Sequence, residues 1–171
     1  MGLEVKSAAE KWYAVQTCSR HEKKVAQHLR QRQVEYYLPL YESLRRWQDR
    51  RVAVQLPLFP GYMFVRIAVR DRLHVEQVPG LVRIVSFQGK PAPLGEEEIE
   101  VIQRCMCSGM RLEPHPYLKV GRRVRIVRGP LEGMEGIIAR TRNDHRLVLS
   151  IDCIMQAMAV HVDASEVQPL A

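Results

Sequence analysis

Cysteine is scarce in this sequence, and long apolar runs are absent. Cys105 and Cys107 are separated by one residue, which does not fit the usual spacing of a zinc-ligand pair, and neither Cys18 nor Cys153 belongs to a second pair. We therefore expect buried or incidental thiols in place of zinc ligands or disulfides. No uncharged apolar run approaches the roughly 20 residues of a membrane-spanning helix, and residues 1–10 lack the apolar core of a signal peptide. The sequence predicts a cytoplasmic protein that does not enter a membrane.

Catalytic motifs are also missing. The histidines show no metal-ligand spacing; they are His21, His28, His74, His115, His145 and His161. There is no nucleophile elbow, Walker motif or dinucleotide-binding fingerprint. Residues 96–98 are three glutamates, but the helix dipole explains acids in the first turn of a helix. We predict a protein that is not an enzyme and holds no cofactor or metal, with a small enzyme as the less favoured alternative.

Acidic residues are fewer than basic ones, and the excess is unevenly distributed. The chain has 26 Lys and Arg residues against 19 Asp and Glu residues, a formal net charge of +7. Ten basic and four acidic residues lie between positions 11 and 51. A moderate positive charge favours polyanionic partners without requiring them. Most of the positive field therefore lies near the start of the chain.

The periodicity of residues 11–106 predicts an α+β domain. Residues 11–17 are rich in aromatic and β-branched side chains, as in a strand. Ser19 and Glu22 then form an S-x-x-E capping box that opens a helix, in which Val25, Ala26 and Leu29 make one apolar stripe. Further strands are predicted at residues 34–40, 41–47, 51–57, 61–67 and 81–87, the second and third as a hairpin, and further helices at 71–78 and 96–106. This order predicts an antiparallel sheet flanked by helices.

The last third of the chain has a different character. Pro114 and Pro116 interrupt the pattern, and residues 109–119 are predicted to be a linker. Short strands are predicted beyond it at 123–128, 136–141, 146–151 and 157–162, with no helix, which is typical of a small β-barrel. The predicted organisation is a flexible tail at 1–10, an α+β domain at 11–108, the linker at 109–119 and a barrel domain at 120–171.

A glycine-rich hairpin opens the barrel. Gly129-Pro130 turns the first strand, while Gly133 and Gly136 allow a positive φ or a close backbone approach. With hydrophobic residues on both sides, residues 124–138 resemble the KOW motif, V-x-V-x-x-G-P-x-x-G-x-x-G-x-V, at almost every position. The resemblance implies an SH3-like five-stranded barrel, found in NusG-type factors and in certain ribosomal proteins.

The N-terminal half distinguishes these two classes. Trp12-Tyr-Ala-Val-Gln-Thr17, Leu38-Pro-Leu40 and Leu58-Phe-Pro-Gly-Tyr-Met-Phe-Val65 are similar to the NusG N-terminal (NGN) domain. The resemblance continues in order over roughly residues 11–170. It implies a transcription elongation factor of the NusG family that binds RNA polymerase and modulates pausing, elongation and termination or antitermination. The alternative is a KOW-containing protein that binds RNA or the ribosome. The short connection between residues 40 and 58 resembles the specialised RfaH-type paralogues.

The family resemblance implies a polymerase-binding surface. In the family, the NGN domain binds the clamp helices of the β′ subunit through an apolar depression. On that precedent Tyr62 and Phe64 contribute contacts, with Tyr13 and Leu38 nearby; large aromatic side chains suit the binding of an amphipathic helix pair. The alternative is that alternate residues of this strand belong to the core. A monomer that binds polymerase is expected.

A nucleic-acid surface is implied by the same resemblance. Lys24, His28, Gln31 and Arg32 fall together on the predicted helix, beside its apolar stripe. RfaH-type factors use this helix face to contact the exposed non-template DNA strand, and cations, amide and imidazole groups suit phosphates and base edges. The alternative is a face that is merely solvated.

Two segments depart from their counterparts in the family. The threonine-rich segment of RfaH is replaced by Asp71-Arg-Leu-His74. In the barrel, the chain has Ile154, Met155 and Gln156 where the housekeeping factor has an aromatic-Gly-Arg turn. That turn helps to bind the termination factor Rho and a small-subunit ribosomal protein, so both partners remain open for this chain.

Overall fold

The computed structural model describes residues 9–141 and 144–171. The flexible tail predicted for residues 1–10 lies outside the described residues, apart from Ala9 and Glu10. The first elements are β1 (Lys11–Thr17), α1 (Glu22–Gln31), β2 (Glu35–Tyr37), β3 (Leu40–Trp47), β4 (Arg50–Pro57), β5 (Tyr62–Ile67), α2 (Arg72–Glu76), β6 (Leu81–Ile84), β7 (Ser86–Phe87), β8 (Lys90–Pro91), β9 (Pro93–Leu94) and α3 (Glu96–Cys107). They are followed by β10 (Leu112–Pro116), β11 (Arg123–Ile126), β12 (Glu135–Thr141), β13 (Asp144–Ile151), β14 (Gln156–Val162) and β15 (Val167–Pro169).

The chain divides into two compact units, and each unit is formed from two separate stretches of the sequence. The first unit runs to Leu38 and resumes at Pro60–Glu96, whereas the second comprises Pro39–Phe59 and Glu97–Ala171. The α+β class with antiparallel sheets is confirmed. None of the helices in the described part of the chain is long and apolar enough to cross a membrane.

The first unit is built on an antiparallel sheet with the order β2-β5-β1-β6, and β9 also pairs with β1. Alternation along the strands sends Val15 and Met63 to the face that α1 covers. From α1 the apolar stripe predicted at Val25, Ala26 and Leu29 enters the same cluster, because these residues recur at helical spacing. The core of this unit therefore lies between the sheet and the helix.

The start of α1 differs from the predicted capping box. The N-cap residue is His21, and no side chain caps the helix. Glu22 is instead buried, at 5% exposure, and its Oε1 accepts a hydrogen bond of 2.8 Å from the backbone N–H of Gly61. The capping-box prediction is wrong because the turn before β5 offers this carboxylate a donor in a more enclosed place than the helix end.

The predicted hairpin is confirmed. Strands β3 and β4 pair antiparallel, with Trp47 opposite Arg50 at the tip, and they form a two-stranded sheet of their own. Gln48 and Asp49 make the turn, in which Gln48 has φ 52.

The second unit contains a six-stranded antiparallel sheet with the order β10-β14-β13-β12-β11-β15. Its four middle strands are those predicted, with ends shifted by up to two residues. The two outer strands were not predicted. Strand β10 lies inside residues 109–119, the segment predicted to be a linker, and it pairs with β14 at one edge of the sheet. Pro114 and Pro116 are tolerated there because an edge strand leaves one side of its backbone without ladder hydrogen bonds.

Helix α3 contributes to the second unit. Ile99, Ile102 and Cys105 are buried, and Cys105 Sγ lies 3.7 Å from Met134 Sδ. Arg104 donates hydrogen bonds to the carbonyl oxygens of Pro130 (3.2 Å) and Glu132 (2.7 Å). The sequence grouped this helix with the N-terminal domain, whereas its contacts join it to the turn after β11.

Candidate functional site

The four residues predicted to contact polymerase lie on different sides of the first unit's sheet. Tyr13 is 2% exposed and faces the α1 side, and burial raises the pKa of its hydroxyl. Leu38 is half-buried against the same cluster. Tyr62 and Phe64 alternate with Met63 along β5 and therefore point to the opposite face. The structure does not bring all four into one surface.

Tyr62 is the more accessible of the two aromatic residues on the opposite face. Phe64 has no exposed area, and its ring stacks on Tyr37 with centroids 6.4 Å apart. Tyr62 lies at the first position of β5 and is half-buried. Contact with a partner can therefore be direct for Tyr62 and Leu38, whereas Phe64 and Tyr13 support the strands from inside.

Glu96 bonds two residues on this face of the sheet. From the sequence, this residue was explained only as an acid in the first turn of a helix. Its Oε2 accepts a hydrogen bond of 3.1 Å from Trp12 Nε1, and its Oε1 lies 3.2 Å from Arg66 Nη2. The side chain of the first residue of α3 thus bonds both β1 and β5. The signal in the sequence is Trp12 itself, because the N–H of a buried tryptophan requires a hydrogen-bond acceptor.

The predicted nucleic-acid face of α1 is only partly open. Lys24 and Gln31 are exposed and His28 is half-buried. The guanidinium of Arg32 is already engaged: Nη1 donates to the carbonyl oxygen of His74 (2.6 Å) and Nη2 to that of Gln77 (3.4 Å). These carbonyls lie at the C-terminal end of α2, where a cation is favoured. Arg32 therefore fastens α2 to the end of α1.

The glycines of the KOW-like motif have the geometry expected from their spacing. Gly129 and Pro130 follow β11, and Gly133 has φ 85, in the left-handed region. Gly136 has no positive φ, but an added Cβ would lie 2.8 Å from the carbonyl oxygen of Val148 on the neighbouring strand. The motif thus shapes the β11–β12 connection and lets β13 approach closely.

The turn before β14 presents one apolar side chain. Ile154 is buried at 5% exposure, whereas Met155 is 63% exposed and has φ 52. Gln156, the third residue predicted to bind a partner here, is half-buried at the start of β14. Of the three, Met155 offers the largest surface to a partner.

An ionic cluster joins the strands β10, β13 and β14. His161 Nδ1 lies 2.9 Å from Asp144 Oδ2, and Arg146 reaches both Asp144 (3.2 Å) and Glu113 (2.5 Å). Partial burial alone would raise the pKa of Asp144, but the hydrogen bond from Arg146 and the interactions with His161 lower it overall. Among the described residues, no group of three or more His, Cys, Asp or Glu side chains is placed to hold a metal ion.

The four thiols are free and differ in environment. Cys18 and Cys107 are exposed, and Cys153 is half-buried. Burial raises the pKa of Cys105 to about 12 and that of Cys153 to about 11, so both remain protonated at neutral pH.

Comparison with known proteins gives consistent matches. The family model described as transcription termination factor nusG matches residues 10–103. The chain is 30% identical to the transcription termination/antitermination protein NusG of Lactococcus lactis, over 93% of this chain and 92% of that protein. It is 27% identical to NusG of Escherichia coli K12, over 93% and 96% of the two chains. A solved structure of Thermotoga maritima NusG, described as showing a domain interaction, is 26% identical with a TM-score of 0.57 and covers 95% of this chain and 98% of that chain.

Proposed function

The chain belongs to the NusG family of transcription termination and antitermination factors, and we propose that it binds the clamp helices of the RNA polymerase β′ subunit through its first unit. As a family member it is a transcription elongation factor that acts with RNA polymerase. The family consists of transcription factors and not of known enzymes. A ligand that prefers the closed, elongating state of the clamp shifts the polymerase toward that state, which reduces pausing or termination.

The position of Tyr62 carries this proposal. It lies half-buried at the first position of β5, directly after the Leu58–Gly61 turn that resembles the family's clamp-binding segment, and its strand pairs with β1 on one side and β2 on the other. An aromatic side chain on a rigid strand supplies a large apolar contact at a small entropic cost. Phe64 and Tyr13 hold that strand from the two faces of the sheet.

Substitutions at Tyr62 and Phe64 distinguish a residue that contacts polymerase from one that only stabilises the core. Tyr62→Ala should weaken binding of the full chain to polymerase elongation complexes by about thirtyfold or more while the thermal midpoint changes little, because a central aromatic anchor is worth about 2 kcal/mol or more. Tyr117→Ala removes another half-buried tyrosine, in the second unit, and is the matched control. Phe64→Ala should instead destabilise the fold, by about 3–5 kcal/mol. Unchanged polymerase binding by a folded Tyr62→Ala variant would refute the site.

We also propose that the face of α1 formed by Lys24, His28 and Gln31 contacts the non-template DNA strand in the elongation complex. A lysine supplies attraction to phosphate, and the imidazole and amide add donors and acceptors for base edges. Arg32 contributes by holding α2 beside this face. Crosslinking to a non-template strand should fall in a Lys24→Ala, His28→Ala, Gln31→Ala variant while binding to isolated clamp helices persists. Unchanged crosslinking would show that the face is only solvated.

The barrel is proposed to bind a second factor through the turn at Met155. Rho and the ribosome are the candidates that the family suggests, and the apolar Met155 in place of an aromatic-Gly-Arg turn favours a partner with a small apolar pocket. A Met155→Gln variant that keeps its polymerase binding should lose that partner in pull-downs from a bacterial lysate.

We propose that the chain acts as a monomer in the bacterial cytoplasm, where the polymerase is. If ribosomes were retained in place of polymerase, the alternative of a ribosome-binding KOW protein would be favoured.

A further inference from the structure

The tip of the β3–β4 hairpin is exposed throughout. All eight residues at positions 44–51 are exposed. Two large apolar side chains are among them, Leu44 at 65% exposure and Trp47 at 68%. A large exposed tryptophan on a two-stranded ribbon is unfavourable in water unless a partner covers it. Neither the clamp-binding site nor the α1 face uses this segment.

Four arginines surround the turn at this tip. Arg46 pairs directly with Arg51 across the two strands, and Arg45 and Arg50 flank Trp47. Like charges directly opposite each other destabilise a strand pair. In the part of the chain that the structure describes, none of the four makes an ion pair or a side-chain hydrogen bond within the protein. An uncompensated arginine pair of this kind indicates a bound polyanion.

The arginines are distributed over both faces of the ribbon. Pairing and alternation place Arg45, Trp47 and Arg50 on one face, and Arg46 with Arg51 on the other. An acidic protein surface or a single nucleic-acid strand would meet one face and leave the other pair unmatched. A groove of duplex nucleic acid has phosphates along both walls. The major groove of B-form DNA, about 12 Å wide, admits a two-stranded β-ribbon, whereas the major groove of an RNA duplex is too narrow.

We propose that the tip of the β3–β4 hairpin enters the major groove of duplex DNA, with Arg45, Arg46, Arg50 and Arg51 on the phosphates of the two walls and Trp47 inside the groove. The contact is with the DNA backbone and is tolerant of sequence. It is separate from the α1 face, which is proposed to contact a single strand, and it does not depend on the clamp-binding site. The hairpin would give a polymerase-bound factor a contact with duplex DNA in addition to the single-strand contact proposed for the α1 face.

The first experiment measures binding of the full chain to a labelled duplex of about 20 base pairs as a function of salt. Four phosphate contacts predict that the affinity falls at least about a hundredfold between about 50 and 200 mM salt, because each contact adds about 0.9 to the slope of log K against log salt. Arg46→Gln with Arg51→Gln should lower this slope by about 2, so the loss over the same range is about tenfold smaller. Arg46→Lys with Arg51→Lys keeps both charges and should keep the slope.

Controls separate this contact from general charge and from folding. Arg122→Gln with Arg128→Gln removes two exposed arginines of the second unit and should leave the slope unchanged. Relief of the like-charge pair should leave the thermal midpoint of the Arg46→Gln, Arg51→Gln variant unchanged or raised. A lowered midpoint together with lost binding would assign the arginines a structural role and overturn the proposal.

Trp47 provides a direct optical readout. The chain has two tryptophans, and Trp12 is only 5% exposed, so acrylamide quenching reports chiefly on Trp47. Saturating duplex DNA should protect this residue, and a Trp47→Phe variant should lose the protected signal and bind more weakly with an unchanged salt slope. Continued full quenching of Trp47 in the complex would overturn its placement in the groove. Tighter binding to single-stranded DNA or duplex RNA, or no difference in slope between wild type and the Arg46→Gln, Arg51→Gln variant, would overturn the duplex assignment.

Discussion

Two charged residues at the ends of α1 have structural partners that their sequence context did not indicate. Glu22 fits the last position of a capping box, yet its carboxylate is buried against the Gly61 N–H. Arg32 aligns with a basic surface, yet its guanidinium donates to two carbonyls at the end of α2. In both cases the partner lies about 40 residues away in sequence, where a local pattern carries no information.

The role of Glu22 predicts a loss of stability that depends on its acceptor atoms. Glu22→Ala should lower the free energy of unfolding by about 1–3 kcal/mol, because the turn before β5 loses its charged acceptor and a small cavity forms. Glu22→Gln keeps an acceptor oxygen and should cost less. Urea denaturation of both variants checks this, with Glu97→Ala, an exposed acid, as the control. Equal stability of the Glu22→Ala variant and wild type would contradict the role.

The hydrogen bonds of Arg32 predict that its removal lowers the stability of the fold. Arg32→Met should lower the free energy of unfolding by about 1–2 kcal/mol, since two charge-assisted hydrogen bonds at the end of α2 are lost. Lys24→Met, on the same helix but exposed, should change it by no more than about 0.5 kcal/mol. Hydrogen exchange at the α2 amides should accelerate in the first variant only. If both variants behaved alike, Arg32 would be an ordinary surface residue.

At the scale of elements, residue type and periodicity predicted several strands and helices. Strand β1, the hairpin and α3 were predicted within about two residues, β1 from its aromatic and β-branched residues and α3 because its buried residues recur at helical spacing. Strands β10 and β15 were missed. Each lies at an edge of the six-stranded sheet. The two prolines of β10 led to the prediction of a linker, although an edge strand accommodates proline. Pairing of β10 with β14, about 45 residues later, cannot be read from local sequence.

The ionic cluster that joins β10 to β13 and β14 predicts that the six-stranded sheet is sensitive to acid. The pKa of Asp144 is lower in the folded protein than its ordinary value of 3.8. Its ionised form therefore stabilises the fold at pH values above 3.8, and this contribution is lost as the pH falls through the lower folded value. The protection of the β13 and β14 amides against hydrogen exchange, taken relative to the intrinsic exchange rate at each pH, should fall on acidification below about pH 4, and less steeply in an Asp144→Asn variant.

A control identifies the group responsible. Asp163 also has a lowered pKa, because the backbone N–H and hydroxyl of Ser165 donate to it, so part of the acid sensitivity should persist in the Asp144→Asn variant. Glu132→Gln, which removes an exposed carboxylate of the same unit, should leave the profile unchanged. Identical pH profiles for the Asp144→Asn variant and wild type would assign the sensitivity elsewhere.

At the scale of the whole molecule, ordered motifs predicted the family, and the structure refined which residues can act. The order of the NGN-like and KOW-like segments was sufficient because each spacing reflects a turn or close approach, as Gly133 and Gly136 show. Side-chain accessibility was not predictable, since Tyr62 and Phe64 lie on the same face of β5 and Phe64 is covered by residues distant in sequence, among them Tyr37. The division of the chain, with residues 39–59 and α3 in the second unit, also depends on contacts distant in sequence.

Binding to polymerase elongation complexes tests the central claim most directly. Full-length protein should be measured, by biolayer interferometry, against complexes assembled with intact polymerase and with polymerase whose β′ clamp-helix tip has been deleted. We predict saturable binding to the intact complex and at least about a thirtyfold loss of affinity on deletion, because removal of a central contact costs about 2 kcal/mol or more. Equal binding to both complexes, or no binding to either, would contradict the proposal that this chain acts through the clamp helices.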